Sequence, residues 1–302
     1  MARSHERVFR VQGIPLDLTQ SKLKSVLTAR YAATDDQIVI KSLAVDYGGE
    51  NQVATISFKS LPPELNRREP RDEWTQVVPA GSQRQSYWTV DDDFHGLTVL
   101  FSPPTDEHKL DIVAISGLGG HAYGSFKQKD GPYMWLSDSL PQNISTARIM
   151  IYGYASGLDG SESTQNLSDL GQTFHSSVLQ PLQSSKLLIR VSATKAIIQS
   201  TKSERDTMLP YIYGALFFGV PNEGLNVEPF IPLVGDGPNR FLVESLRHEN
   251  SRLLKEQHEE FVKAFSFEGS SEIHSFYETK KSRTLIKVIT WFSQPIHHTG
   301  FN

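Results

Sequence analysis

Cysteine is absent from this 302-residue chain. The absence excludes disulfides, thiolate nucleophiles and zinc–thiolate sites, and it fits a reducing compartment. Long apolar runs are missing too: the longest, residues 211–220, is too short to span a bilayer. Neither sign of charge dominates. Thirty Lys and Arg against 34 Asp and Glu leave a net charge of −4, which gives no electrostatic footprint for nucleic acid. The polar opening Met1-Ala2-Arg3-Ser4-His5-Glu6-Arg7 has no apolar stretch behind it and predicts no signal peptide. These absences together predict a cytoplasmic protein without a transmembrane segment.

Hydrophobic residues make up 38% of the chain, enough to bury one large core or two modest ones. Residues 1–60 carry a small α+β pattern. Val8-Phe9-Arg10-Val11 reads as a strand, Leu23, Val26 and Leu27 as one face of a short helix capped by Thr19, and Ile38–Val45 and Val53–Phe58 as two further strands. This β-α-β-β order resembles the first part of a ferredoxin-like or RNA-recognition module, without the aromatic platform such modules use on RNA and without a second helix–strand pair. Residues 61–93, rich in proline and polar residues but holding Trp74 and Trp88, read as a linker or extended wrap. Residues 94–302 alternate apolar runs with helical stripes. Strands are expected at Leu97–Phe101, Leu110–Ile115, Arg148–Tyr152, Lys186–Ile189, Ile212–Gly219, Ile273–Tyr277 and Leu285–Ile289. Helices are expected on the Leu167, Leu170, Phe174 and Val178 stripe and over Phe241–Phe265. That order predicts a mostly parallel sheet with helices on both faces.

The strand Leu110–Ile115 runs into Ser116-Gly117-Leu118-Gly119-Gly120-His121. Glycines at a strand exit let backbone N–H groups face a cavity, as an oxyanion hole requires. Leu118 and Gly119 are the expected donors. The same residues, with Ala122, match the dinucleotide pattern Gly-x-Gly-x-x-Ala. That reading needs a helix opening at the loop and an acidic residue closing the next strand, which instead ends Tyr152-Gly153-Tyr154. No cofactor and no metal are expected.

Several ordered stretches carry a family likeness: Ile115–His121, Met134-Trp135-Leu136 through Leu140-Pro141, Ala147–Tyr154, Phe217-Phe218-Gly219-Val220-Pro221 and Ser275-Phe276-Tyr277-Glu278-Thr279. Over residues 90–280 the chain resembles the lipase-like α/β-hydrolase domain of fungal NACHT/ankyrin-type immune-receptor proteins, a group related to the serine-active-site-containing proteins. The resemblance implies an α/β-hydrolase fold, a lipid or acyl ester as partner, and by analogy a peripheral place at mitochondrion or endoplasmic reticulum. It also implies a Gly-His-Ser-Leu-Gly-Gly elbow after the strand at Lys186–Ile189. This chain reads Arg190-Val191-Ser192-Ala193-Thr194 there, and Gly-x-Ser-x-Gly occurs nowhere in it. Ser192 is the only serine at the expected place, but Arg190 and Thr194 crowd a turn that wants small neighbours. Glu278 stands where a hydrolase acid is expected. His297, beside His298, is the histidine available after it, in a stretch that departs from the family; no carboxylate lies near the pair to help it hold a metal.

Three expectations follow for function. The chain belongs to a serine ester or lipid hydrolase lineage and lacks hydrolase activity as written, for want of its elbow. Alternatively it is a non-catalytic domain that binds a ligand or a protein partner. The departures at the elbow and the C-terminus also fit a misjudged exon boundary or a truncated reading frame, which would leave the fold incomplete.

Overall fold

The computed structural model describes residues 6–66, 74–77, 87–179, 186–191, 212–219, 224–248, 252, 254–256, 259 and 272–276. Within them the chain builds two sheets. The first holds β1 (Val8–Ile14), β2 (Ile38–Val45), β3 (Gln52–Phe58), β4 (Trp74–Val77) and β5 (Tyr87–Asp91), in the order β2-β3-β1-β5-β4. Every neighbouring pair is antiparallel. Strand alternation puts Phe9, Val11, Ala54, Ile56 and Val90 in one core with Leu23 and Leu27 of helix α1 (Gln20–Arg30). Thr19 caps α1, its side chain accepting from the Lys22 N–H.

The segment 61–93, expected as a linker or wrap, supplies two strands of this sheet. β5 takes the place beside β1 that a second helix–strand pair would have filled. The signal was the alternation Trp88-Thr89-Val90, whose two apolar members are buried while Thr89 pairs with Gln12. Proline content masked a strand period in the neighbouring residues.

The second sheet holds β6 (Gly96–Phe101), β7 (Leu110–Ile115), β8 (Ala147–Gly153), β9 (Lys186–Val191), β10 (Ile212–Phe218) and β11 (Glu272–Phe276), in the order β11-β10-β9-β7-β8-β6. β6 is antiparallel to β8, and the other neighbours are parallel. The sheet is therefore mixed, with its antiparallel strand at one edge. Helices cover both faces. Ile112, Ala114, Ile149 and Ile151 pack on one side with Phe126, Met134 and Leu136, from the turns and helix α2 (Trp135–Asp138) that follow β7. On the other side Tyr152 meets Phe174 of α4 (Leu167–Leu179) edge-on. Between them α3 (Leu140–Asn143) leads into β8.

Strand β7 hands the chain to β8 on one side, whereas β9 hands it to β10 on the other. The carboxyl ends of β7 and β9 thus flank the topological switch point, where open α/β sheets bind ligands. The long helix expected over Phe241–Phe265 is interrupted: Arg240–Glu244 is a short helix, Arg247 then bridges to Leu225, and residues 252, 254–256 and 259 are helical again. The strand expected at 285–289 lies outside the described residues.

The two sheets pack against each other. β6 lies against β2 and β3, and Val8 of β1 belongs to the apolar cluster of the second sheet. The sheet face that an RNA-recognition module would offer to bases is covered here. Arg10, buried on β1, donates to Asp91 at 2.8 Å, to the His95 carbonyl at 2.8 Å and to Thr98 at 3.1 Å. Glu6 accepts from Lys41 (2.8 Å) and Ser57 (2.7 Å) in the first sheet and from Lys127 (3.0 Å) in the second unit. Burial alone would raise its pKa, but these donors win and hold it near 2.

Candidate functional site

The glycine loop leaves β7 at the switch point. Residues 121–126 form turns and a 3-10 turn at Gly124–Phe126. No α-helix opens at the loop, so the helix terminus that a dinucleotide phosphate needs is lacking there. Gly119 has φ +77°, a conformation that favours glycine, and a Cβ on it would meet Leu158 Cδ1 at 3.1 Å. Gly120 has no room for a side chain either: its Cβ would lie 2.6 Å from Ser125 Oγ and 2.9 Å from the Gly117 carbonyl.

Of the two expected oxyanion donors, the Gly119 amide is engaged. It donates to the Ser156 carbonyl at 2.7 Å. No hydrogen bond is formed by the Leu118 N–H among the described residues. The Gly120 N–H turns back on the Gly117 carbonyl at 2.9 Å. The Leu118 side chain packs into two apolar clusters. One gathers Val227, Phe230, Val234 and Val243, the other Leu170 and Leu242. Residues 225–246 therefore lie over the loop.

A second segment, Tyr154–Leu158, runs beside the loop from the end of β8. The Tyr154 hydroxyl donates to the Ser116 carbonyl at 3.2 Å, and the Ser156 hydroxyl donates to the Gly120 carbonyl. Asn239, buried, donates its side-chain amide to the Gly157 and Leu158 carbonyls at 3.1 and 2.9 Å. No local sequence pattern marks Asn239 or Ser156. The available signal was topological: β8 ends next to β7, so the residues after both strands must meet.

His121 is structural. Its Nδ1 accepts from the Tyr123 and Gly124 N–H groups at 3.2 and 3.0 Å, which leaves the proton on Nε2, where it is donated to the Asp92 carbonyl at 2.6 Å. Asp92 in turn pairs with Arg7, tying the loop's far end to the first sheet. Burial raises the Tyr123 and Tyr152 phenols above their ordinary range, which keeps both protonated.

Val191, the last residue of β9, pairs with Ile115, the last of β7. Ser192 is next in sequence but lies outside the described residues, as do Glu278 and His297. None of the three expected triad members is therefore placed relative to the loop. No group of acidic residues and histidines able to hold a metal occurs among the described residues, and no helix there is long and apolar enough to cross a membrane.

No family model matches the chain, and no curated protein matches it. Solved structures do. The chain is similar to phospholipase PlaB from Legionella pneumophila, solved in complex with thio-NAD, at 12% identity over 58% of this chain and 38% of that one, with a TM-score of 0.43. It is also similar to the mature lipase BlEst2 of Bacillus licheniformis (14% identity, 58% and 66% of the two chains, TM-score 0.39) and to esterase 2 of Thermogutta terrifontis (11%, 73% and 86%, TM-score 0.30). The match spans about two fifths of the Legionella phospholipase. These neighbours are lipid and ester hydrolases.

Proposed function

We propose that the chain is an α/β-hydrolase-type domain that binds a lipid or acyl ester without hydrolysing it. The observation that carries the proposal is the state of the glycine loop. It sits at the switch point, with one amide unpaired among the described residues and the other donating to Ser156. Acyl transfer would require the Leu118 and Gly119 amides together on a developing oxyanion, and a serine activated by a base. Two sequence features argue against the second requirement. Arg190 and Thr194 flank Ser192 where an elbow needs small residues, and no other serine stands in an elbow pattern. The acyl chain of such a ligand would lie beside the apolar side chains from residues 225–246 that pack around Leu118. The likeness to the lipase-like domains of fungal NACHT-type proteins extends the proposal to a signalling setting, with a protein partner as reader of the bound state.

Ester turnover and ligand binding test this together. The wild-type chain is expected to hydrolyse p-nitrophenyl butyrate no faster than its Ser192→Ala variant, while octanoate shifts the Leu118 amide resonance to a saturable limit. Turnover that disappears in Ser192→Ala would restore the enzyme reading. An unmoved Leu118 amide would remove the ligand.

A further inference from the structure

We infer that Tyr154–Leu158 is a latch on the glycine loop: the Ser156 carbonyl holds the Gly119 amide that a ligand oxygen would otherwise take, and Asn239 keeps the latch shut. The inference rests on the reading that the loop faces a ligand. Its geometry is independent of any nucleophile.

Three contacts tie the latch to the loop. The Gly119 N–H donates to the Ser156 carbonyl at 2.7 Å, the Ser156 hydroxyl to the Gly120 carbonyl, and the Tyr154 hydroxyl to the Ser116 carbonyl at 3.2 Å. The contact is close, since a methyl on Gly119 would already touch Leu158 at 3.1 Å. A ligand oxygen cannot reach the Gly119 amide until the segment withdraws. The Ser156 carbonyl is thus a built-in competitor that satisfies the amide in the absence of ligand.

Asn239 decides how firmly the segment stays. It reaches from beyond Val234, in the part of the chain that lies over the loop, and donates to both the Gly157 and Leu158 carbonyls. Leu158 also packs in the apolar cluster around Leu118. Displacing residues 225–246 would therefore pull on the latch through one polar and one apolar link. Gly157 and Gly160, where an added Cβ would meet nothing within 4 Å, are the positions about which the segment would turn. Asn239 is accordingly a positioning residue: it touches the latch and not the ligand.

Amide hydrogen exchange on the full ¹⁵N-labelled chain tests the latch. The Gly119 amide should be protected in the wild type, and Asn239→Ala should speed its exchange about tenfold, as expected when two hydrogen bonds to the closed state are lost. Val113, inside β7, should keep its wild-type rate. Ser156→Ala retains every main-chain bond and should speed Gly119 exchange by about threefold, which keeps the test alive if Asn239→Ala does not fold. Gly119 exchanging in the wild type as fast as an open loop amide would overturn the latch. So would a folded Asn239→Ala, or failing that a folded Ser156→Ala, with unchanged Gly119 protection. Octanoate added to the opened variant separates the two ideas: faster exchange with no octanoate shift supports the latch and sinks the ligand reading alone.

Discussion

Gly153 shows how tightly single residues are constrained around the site. A Cβ there would fall 2.1 Å from the Phe94 carbonyl and 3.1 Å from Ala122. Phe94 itself holds φ +56°, an unusual conformation for a bulky residue, fixed by its N–H donating to Asp91 at 2.8 Å and by complete burial. Neither neighbour can give way. Gly153→Ala is therefore expected to lower unfolding stability by about 2–3 kcal/mol, the cost of overpacking a rigid site, as measured by urea denaturation. A change within about 0.5 kcal/mol, the range of ordinary surface substitutions, would mean that β8 and the Phe94 turn are looser than described. The state of the glycine loop was legible at this scale only in part. Glycine spacing marks which amides can face a cavity, but whether one is already taken depends on Ser156, 37 residues further along the chain from Gly119.

Strands were the most readable elements. Continuous apolar runs such as Ile112–Ile115 and Ile149–Tyr152 announce strands buried on both faces, and they form β7 and β8 within a residue or two of the expected bounds. The stripe of Leu170, Phe174 and Val178 likewise becomes the buried face of α4. The stretch after Phe241 was readable in part. Its charge and spacing suit a helix, and residues 241–244, 252, 254–256 and 259 are helical; between them Leu225 pairs with Arg247, a tertiary contact that local propensity does not encode. Buried charge was also invisible, because Arg10 and Asp91 lie 81 positions apart and come together only when β5 pairs with β1. Asp91→Ala should cost about 3–5 kcal/mol, since it strands a buried guanidinium. Adding Arg10→Met should recover part of that loss. Thermal unfolding of the single and double variants checks both outcomes, and a double variant no more stable than Asp91→Ala would contradict the account.

At the scale of the whole molecule, the first sheet is a fused part of the α/β body. Glu6 spans both, with Lys41 and Ser57 on one side and Lys127 on the other. Its folded pKa, near 2, lies below the ordinary 4.5. The stability it contributes is thus fully present above pH 4.5 and is lost as the pH falls from there towards 2. Glu6→Gln should remove about 1 kcal/mol at neutral pH, allowing for solvent screening of a partly exposed group, and the deficit should vanish in acid. Melting temperatures of both proteins between pH 7 and pH 2 test this; curves that stay parallel throughout would show that Glu6 does not tie the units together.

The measurement that bears most directly on function is covalent labelling of the folded chain by a fluorophosphonate probe, with Ser192→Ala as control. A domain that binds acyl ligands without hydrolysis, its Gly119 amide held by Ser156, should show no labelling above the control. Stoichiometric labelling that disappears in Ser192→Ala would mean a working nucleophile despite Arg190 and Thr194, and the chain would then be an esterase.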